Sequence, residues 1–228
     1  LTSEKPDLKS VPWTSSDVWI GVVAMFALIL LLAVGVFLVP DIQVGLLLTL
    51  GELILLLPVW WLAIRKYDSS WKKLGLRGFG AESIGAGCGL TILSWLFNLA
   101  YSLILAQFDI QMQPDYSVLF AGDNAPWWIF LAGAFVAPFV EEVIFRGFIF
   151  AGLRDSYGWQ KAALISSACF AVIHMQPATL VPIFILGFIF AYLYHRYQSI
   201  WPAVLMHMST NAIALGGAYL ISRFPQFF

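Results

Sequence analysis

Seven apolar segments separated by polar stretches organise the chain: residues 18–39, 44–64, 84–107, 127–152, 162–174, 179–194 and 200–220. None shows the period-two alternation of a membrane barrel. Backbone polar groups in lipid must be satisfied within their own segment, so each segment predicts a helix. The expected fold is therefore all-α: a polytopic integral membrane protein of about seven transmembrane helices, with a catalytic core built from the later four. Four regions follow, namely an N-terminal segment 1–17, two helices and a basic loop over 18–83, a membrane core over 84–222, and a tail over 223–228. No fixed-period repeat and no low-complexity tract interrupts this order.

Two segments are unusual. Residues 162–174 would make a helix of roughly 20 Å, against a hydrocarbon core of about 30 Å. The segment stops at "HMQP", where Pro177 cannot continue a helix that needs its N–H. Irregular backbone at membrane depth is tolerated where protein or a wet cavity lines it. A recess near His174 is the expectation.

Composition agrees with the pattern. The 228 residues are 61% hydrophobic and 11% charged, with mean hydropathy +0.84. A soluble domain of this size could not cover that much apolar surface. A net charge of −1 without a long basic block gives no reason to expect nucleic acid as a partner. Membrane lipid is the partner expected first. Cys88 and Cys169 sit in apolar runs without a CxxC pattern and read as small buried hydrophobes. Residues 1–17 are polar and show no signal-peptide pattern.

Charge orients the bundle. Lys5, Lys9, Arg65, Lys66, Lys72, Lys73, Arg77, Arg154, Lys161 and Arg196 fall on one side of a seven-span arrangement, and Arg223 on the other. The positive-inside rule then places the N-terminus in the cytoplasm. The connection 108–125 carries Asp109, Asp115 and Asp123 without Lys or Arg and would be external. Trp60, Trp61, Trp159 and Trp201 mark inner ends, and Trp127 and Trp128 an outer end. His195, beside Arg196 and tyrosines, reads as an interfacial anchor.

Ionisable residues inside the segments are Glu52, Glu141, Glu142, Arg146, His174 and His207. Charges at membrane depth are costly and mark functional sites by default. Glu142 and Arg146 are spaced i, i+4 and can pair on one helix face. Glu141 is rotated by about 100°, so it can point into a cavity while its neighbour is held. A plain packing salt bridge is the competing reading of these three residues. His174 ends the short fifth helix, and His207 shares a stripe with Asn211, where both could serve packing alone. Glu52 is expected to pack toward another helix or the headgroup region.

Counted from their inner ends, His207 lies roughly 9 Å along its helix, whereas Glu142 and His174 lie roughly 18–20 Å along theirs. Tilt and side-chain reach must close that gap for the set to meet. If it does, two carboxyls, two imidazoles, an arginine and an amide suit hydrolysis, with a base for water and donors for an oxyanion. Alternatively, two His and a Glu could hold zinc, with the other Glu as base. If a divalent metal such as zinc binds, Glu141, His174 and His207 are the candidate ligands. No other cofactor is expected. HExxH and GxSxG are both absent from the sequence.

The stretches "EEVIFR", "FAVIH" and "HMSTN" resemble the EExxxR, FxxxH and HxxxN motifs of the CPBP family of intramembrane proteases. That family, also called Abi, holds CAAX proteases and bacteriocin-processing enzymes, Rce1-like proteins among them. The three motifs occur in order, and the resemblance covers roughly residues 84–220. It implies an intramembrane endopeptidase cleaving a membrane-bound or lipidated polypeptide, with a cavity open to the cytoplasm. In that scheme Glu141 activates water with His174 assisting, Glu142 and Arg146 support them, and His207 and Asn211 stabilise the oxyanion. A catalytically silent scaffold or assembly factor of the same fold, working in a membrane-protein complex, is the alternative. A proton-coupled transporter would predict paired interrupted helices in two related halves, and the sequence shows no such symmetry.

Overall fold

A computed structural model describes residues 10–38, 44–112, 115–120 and 127–227. Lys5, Lys9 and Asp123, which entered the charge pattern above, lie outside the described residues. Helices follow all seven apolar segments: α1 (Ser15–Leu38), α2 (44–65), α3 (Ala81–Ala106), α4 (Trp127–Tyr157), α5 (Trp159–Ile173), α6 (Leu180–Tyr197) and α7 (Trp201–Arg223). Among the described residues there is no strand. Among the described residues five helices can cross a membrane by length and composition: Ser15–Gly35 within α1, then α3, α4, Pro177–Tyr197 containing α6, and α7. The chain is an all-α, polytopic integral membrane protein.

Local chemistry sets several boundaries. Thr14 and Asp17 form a reciprocal cap at the start of α1: the Asp17 N–H donates to Thr14 Oγ1 at 3.3 Å, and the Thr14 N–H donates to Asp17 Oδ2 at 3.0 Å. Pro58 removes an N–H and crowds the carbonyl four residues back, and α2 is interrupted at Leu55, between Ile54 and Leu56. Pro138 acts similarly in α4, which opens into π-helical turns over Ala132–Val136. A second π-helical run, Val143–Phe150, carries Arg146, and all eight of its residues are buried. Such turns recur at functional sites because they re-aim side chains within a helix.

Helix α4 runs on to Tyr157, five residues beyond the expected end at Gly152. The reason is Arg154, which is no free surface cation. It is buried, with its guanidinium over the rings of Phe150 and Tyr194 at 5.8 and 6.0 Å. Gly158, at φ +77°, then turns the chain directly into α5. That helix has 15 residues, about 22 Å, and is indeed short of a full span. It packs along α6, its antiparallel neighbour, through the turn 174–179.

The core gathers around α4. Phe145, Phe148, Phe150, Phe170 and Tyr194 are buried together with Leu62 of α2 and Trp13 ahead of α1. Trp13 Nε1 donates to the Phe148 carbonyl at 3.1 Å. A Cβ on Gly152 would lie 2.5 Å from that indole nitrogen, so glycine is what lets the N-terminal segment approach α4. At the same end Ile200 N–H donates to Gly75 O at 3.0 Å, tying the basic loop to the start of α7. His195 stacks on Trp159 with centroids 4.6 Å apart.

Candidate active site

Helix α4 delivers both glutamates and the arginine, and the i, i+4 spacing does what the sequence suggests. Arg146 Nη1 donates to Glu142 Oε1 at 2.8 Å, with both side chains fully buried. The second arm of the guanidinium, Nη2, donates to the Gly187 carbonyl of α6 at 3.0 Å. Its plane carbon lies 4.5 Å from the Phe170 ring centroid and 5.3 Å from that of Phe190. A buried ion pair costs more in desolvation than it returns unless hydrogen bonds satisfy it. Gly187 and the flanking aromatic faces are that compensation.

His207 closes the gap in depth between α7 and α4. Its Nδ1 lies 3.0 Å from Glu142 Oε1, and its Nε2 lies 3.5 Å from Glu141 Oε2. One imidazole therefore bridges two adjacent carboxyls. A neutral ring has a single N–H to offer, and the imidazolium has two.

Glu141 differs from its neighbour. Its half-buried side chain lines a cavity of about 310 Å³ together with His174. The remaining lining is mostly apolar, from Val22, Met25 and Phe26 of α1 to Ile144 and Phe145 of α4. His174 Nδ1 lies 2.7 Å from the Phe170 carbonyl. A carbonyl only accepts, so Nδ1 carries the hydrogen and Nε2 of the neutral ring keeps its lone pair. Phe170 fixes the ring from the side as well, edge-on at 4.8 Å.

His174 also lines a second cavity of about 290 Å³, shared with His207, Asn211, Tyr116, Gln176 and Thr179. Asn211 Nδ2 donates to the Gly133 carbonyl at 2.9 Å, which leaves the second amide hydrogen to face elsewhere. The two cavities thus have different characters: an apolar one at Glu141 and a more polar one at His207 and Asn211, with His174 on the wall of both.

The structure brings Glu141, Glu142, Arg146 and His207 into one bonded cluster, with His174 and Asn211 at its edges. Among the described residues no group of three His, Cys, Asp or Glu side chains is arranged to hold an ion. Of the two placements expected for Glu52, the structure has the one against another helix: α2 packs on α4, and Glu52 lines the Glu141 cavity. The one signal for it was that a lone carboxyl in an apolar run is costly unless it faces protein or a cavity.

Comparison with known proteins falls on this same region. Residues 123–213 match the model of the family described as type II CAAX prenyl endopeptidase Rce1-like. That stretch contains all seven fixed positions of the three motifs, so the resemblance read from the motifs holds. The "Putative membrane peptidase YdiL" of Bacillus subtilis (strain 168) is 34% identical over 85 residues, covering 37% of this chain and 35% of the relative. The UPF0177 protein YxdF of Lactococcus lactis subsp. lactis (strain IL1403) is 30% identical over 90 residues, covering 39% of this chain and 49% of the relative. The match thus spans between about a third and a half of the length of these curated relatives. No solved structure matches the chain.

Proposed function

We propose that the chain is an intramembrane endopeptidase that hydrolyses a peptide bond of a membrane-associated or lipidated polypeptide with water activated by Glu141. The observation that carries this reading is the division of labour between adjacent carboxyls. Glu142 is locked by Arg146 and His207, whereas Glu141 stands on a cavity wall beside an imidazole with a free Nε2. A buried structural salt bridge needs one carboxylate. The second lies outside that pair, with only the far nitrogen of the His207 ring near it at 3.5 Å, and its cost marks it for function. Similarity to the Rce1-like family, and to a relative named a membrane peptidase, supports the reaction class.

In this mechanism Glu141 takes a proton from water as the oxygen attacks the scissile carbonyl, with His174 Nε2 holding the water by its other hydrogen. Asn211, through its remaining N–H, and His207 face the developing oxyanion from the polar cavity. Arg146 fixes Glu142, which orients His207. No step is routed through a metal ion. The N-terminus lies in the cytoplasm and the site opens to that side, as the basic loops predict. The core 84–222 carries the chemistry, with lipid and the anchored substrate as partners.

The test is cleavage by the purified protein in detergent of two quenched peptides. One carries an S-farnesyl cysteine near its C-terminus, and the other is an unmodified transmembrane segment. Products are identified by mass, with Glu141→Ala as control and a chelator arm. Cleavage of either peptide by the wild type, abolished in Glu141→Ala and resistant to chelation, is the expected result. A folded wild type that cleaves neither peptide would overturn the reading in favour of a silent scaffold. Loss of cleavage on chelation would restore the metal-assisted form.

A further inference from the structure

Glu52 lies on α2, outside the region matched by the family model and outside all three motifs. Helix α2 packs against α4 on both sides of Pro138, and this contact turns Glu52 into the cavity that Glu141 lines. Of the side chains around that cavity, only Glu52, Glu141, Cys169 and His174 are not plainly apolar. Among the described residues no hydrogen bond or ion pair holds the Glu52 carboxyl. Arg146, the cation of the buried cluster, is committed to Glu142 and to Gly187. The α2 backbone is interrupted at Leu55, the next turn from Glu52, where Pro58 costs it a helical hydrogen bond. A carboxyl without a structural partner thus lines the same cavity as the residue that acts as base.

We propose that Glu52 is the general acid of the reaction, giving a proton to the departing amine nitrogen while Glu141 serves as the base. This rests on the peptidase reading above. Two carboxyls on one small, mostly apolar cavity accommodate a single proton between them better than two negative charges. The steps balance on that one proton. Water gives a proton to the Glu141 carboxylate as its oxygen bonds the scissile carbon, and the carbonyl electron pair moves onto oxygen. The oxyanion then re-forms the carbonyl and the C–N bond breaks, its electron pair going to nitrogen, which takes the proton of the Glu52 carboxyl. The products are a carboxylic acid and an amine. The proton on Glu141 returns to the Glu52 carboxylate, and both groups are reset.

The distinguishing property of a general acid is that it matters only for a poor leaving group. The full chain in detergent is given two probes of identical sequence, both with an S-farnesyl cysteine. One has the ordinary peptide bond, and in the other sulfur replaces the scissile nitrogen. A thiolate departs without a proton. Glu52→Gln is expected to lower kcat on the peptide by about 100-fold, with KM little changed, and kcat on the thioester by less than about 5-fold. Glu141→Gln is expected to lower both. Because the peptide-to-thioester ratio is taken within each variant, a partly misfolded preparation does not change it. Glu52→Asp, which keeps a carboxyl, is expected to recover part of the peptide rate. Equal losses on the two probes, no loss on either, or an Asp variant no better than Gln on the peptide would each overturn the role of Glu52 and leave the peptidase reading standing. A wild type inert toward both probes removes the peptidase reading and this role together.

Discussion

His207 Nδ1 approaches to 3.0 Å of Glu142 Oε1, the same oxygen that accepts Arg146 Nη1 at 2.8 Å. Two donors from different helices converge on one buried oxygen, so α7 is fastened to α4 through a charge. The other face of the ring looks at Glu141. Replacing His207 by Ala should therefore do two things at once. Stability should fall by about 1–3 kcal/mol, because a buried acceptor loses a donor. Peptide cleavage should fall by at least about 100-fold, because Glu141 and the oxyanion lose their shared partner. Thermal unfolding in detergent and kcat on the farnesylated peptide measure the two effects separately.

Arg146 should be the most structurally sensitive residue of the motif set. It is fully buried, and its removal strands Glu142 inside the protein. Breaking one side of such a pair costs about 3–5 kcal/mol. Arg146→Met alone is expected to fold poorly. The double substitution Glu142→Gln with Arg146→Met should recover a large part of the lost stability without recovering activity. A double-mutant cycle on unfolding free energies reads the coupling.

Gly187 offers a test of geometry without touching any charge. A Cβ there would sit 3.1 Å from Arg146 Nη2 and 3.2 Å from both Phe170 Cδ1 and Ser167 Cβ. These neighbours are packed and must give way. Gly187→Val should push the guanidinium off the Gly187 carbonyl and lower activity by roughly 10- to 100-fold. The stability cost should be about 1–3 kcal/mol. Gly187→Ala should fall between wild type and Val. Equal activity in all three proteins would show that the Arg146 arm toward α6 has no part in holding Glu142.

Much of this arrangement was legible in the sequence, and the parts that were not share a cause. Apolar runs set the seven helices because lipid leaves the backbone no other way to bond. The Glu142–Arg146 pair follows from helical spacing, a local property. Local spacing carries no information on which helices become neighbours. Depth counted from helix ends put His207 and Glu142 apart, because that count assumes straight helices starting in one plane. Instead α4 widens into π-helical turns around Pro138 and Arg146, and α5 and α6 set their own heights. The cavity that Glu52 lines was not legible for the same reason. It exists only once α1, α2, α4 and α5 are assembled, and no periodicity along α2 announces it. Arg154 was placed by its charge alone, and the aromatic faces of Phe150 and Tyr194 that bury it come from packing.

The last prediction concerns the junction at the start of α1. Asp17 of α1 is almost completely buried and accepts hydrogen bonds from Lys66 Nζ, the Tyr67 hydroxyl and Thr14. It joins the start of α1 to the end of α2, the two helices that wall the Glu141 cavity. The hydrogen bond to Asp17 holds the Lys66 ammonium above the ordinary lysine value. A raised folded-state value means the stabilisation is complete below the unfolded lysine pKa, about 10.4, and drains away as pH climbs through the higher folded value. Wild type and Lys66→Met should therefore differ in unfolding temperature by a constant amount between about pH 6 and 9. The gap should close above about pH 10.4. Asp17→Asn should lower stability at neutral pH by about 1.5–3 kcal/mol, since a buried acceptor loses its charge while keeping its shape. A gap that persists at strongly alkaline pH would mean that the lysine stem, packed over the Tyr67 ring 5.1 Å from its nitrogen, stabilises the junction rather than the ammonium charge.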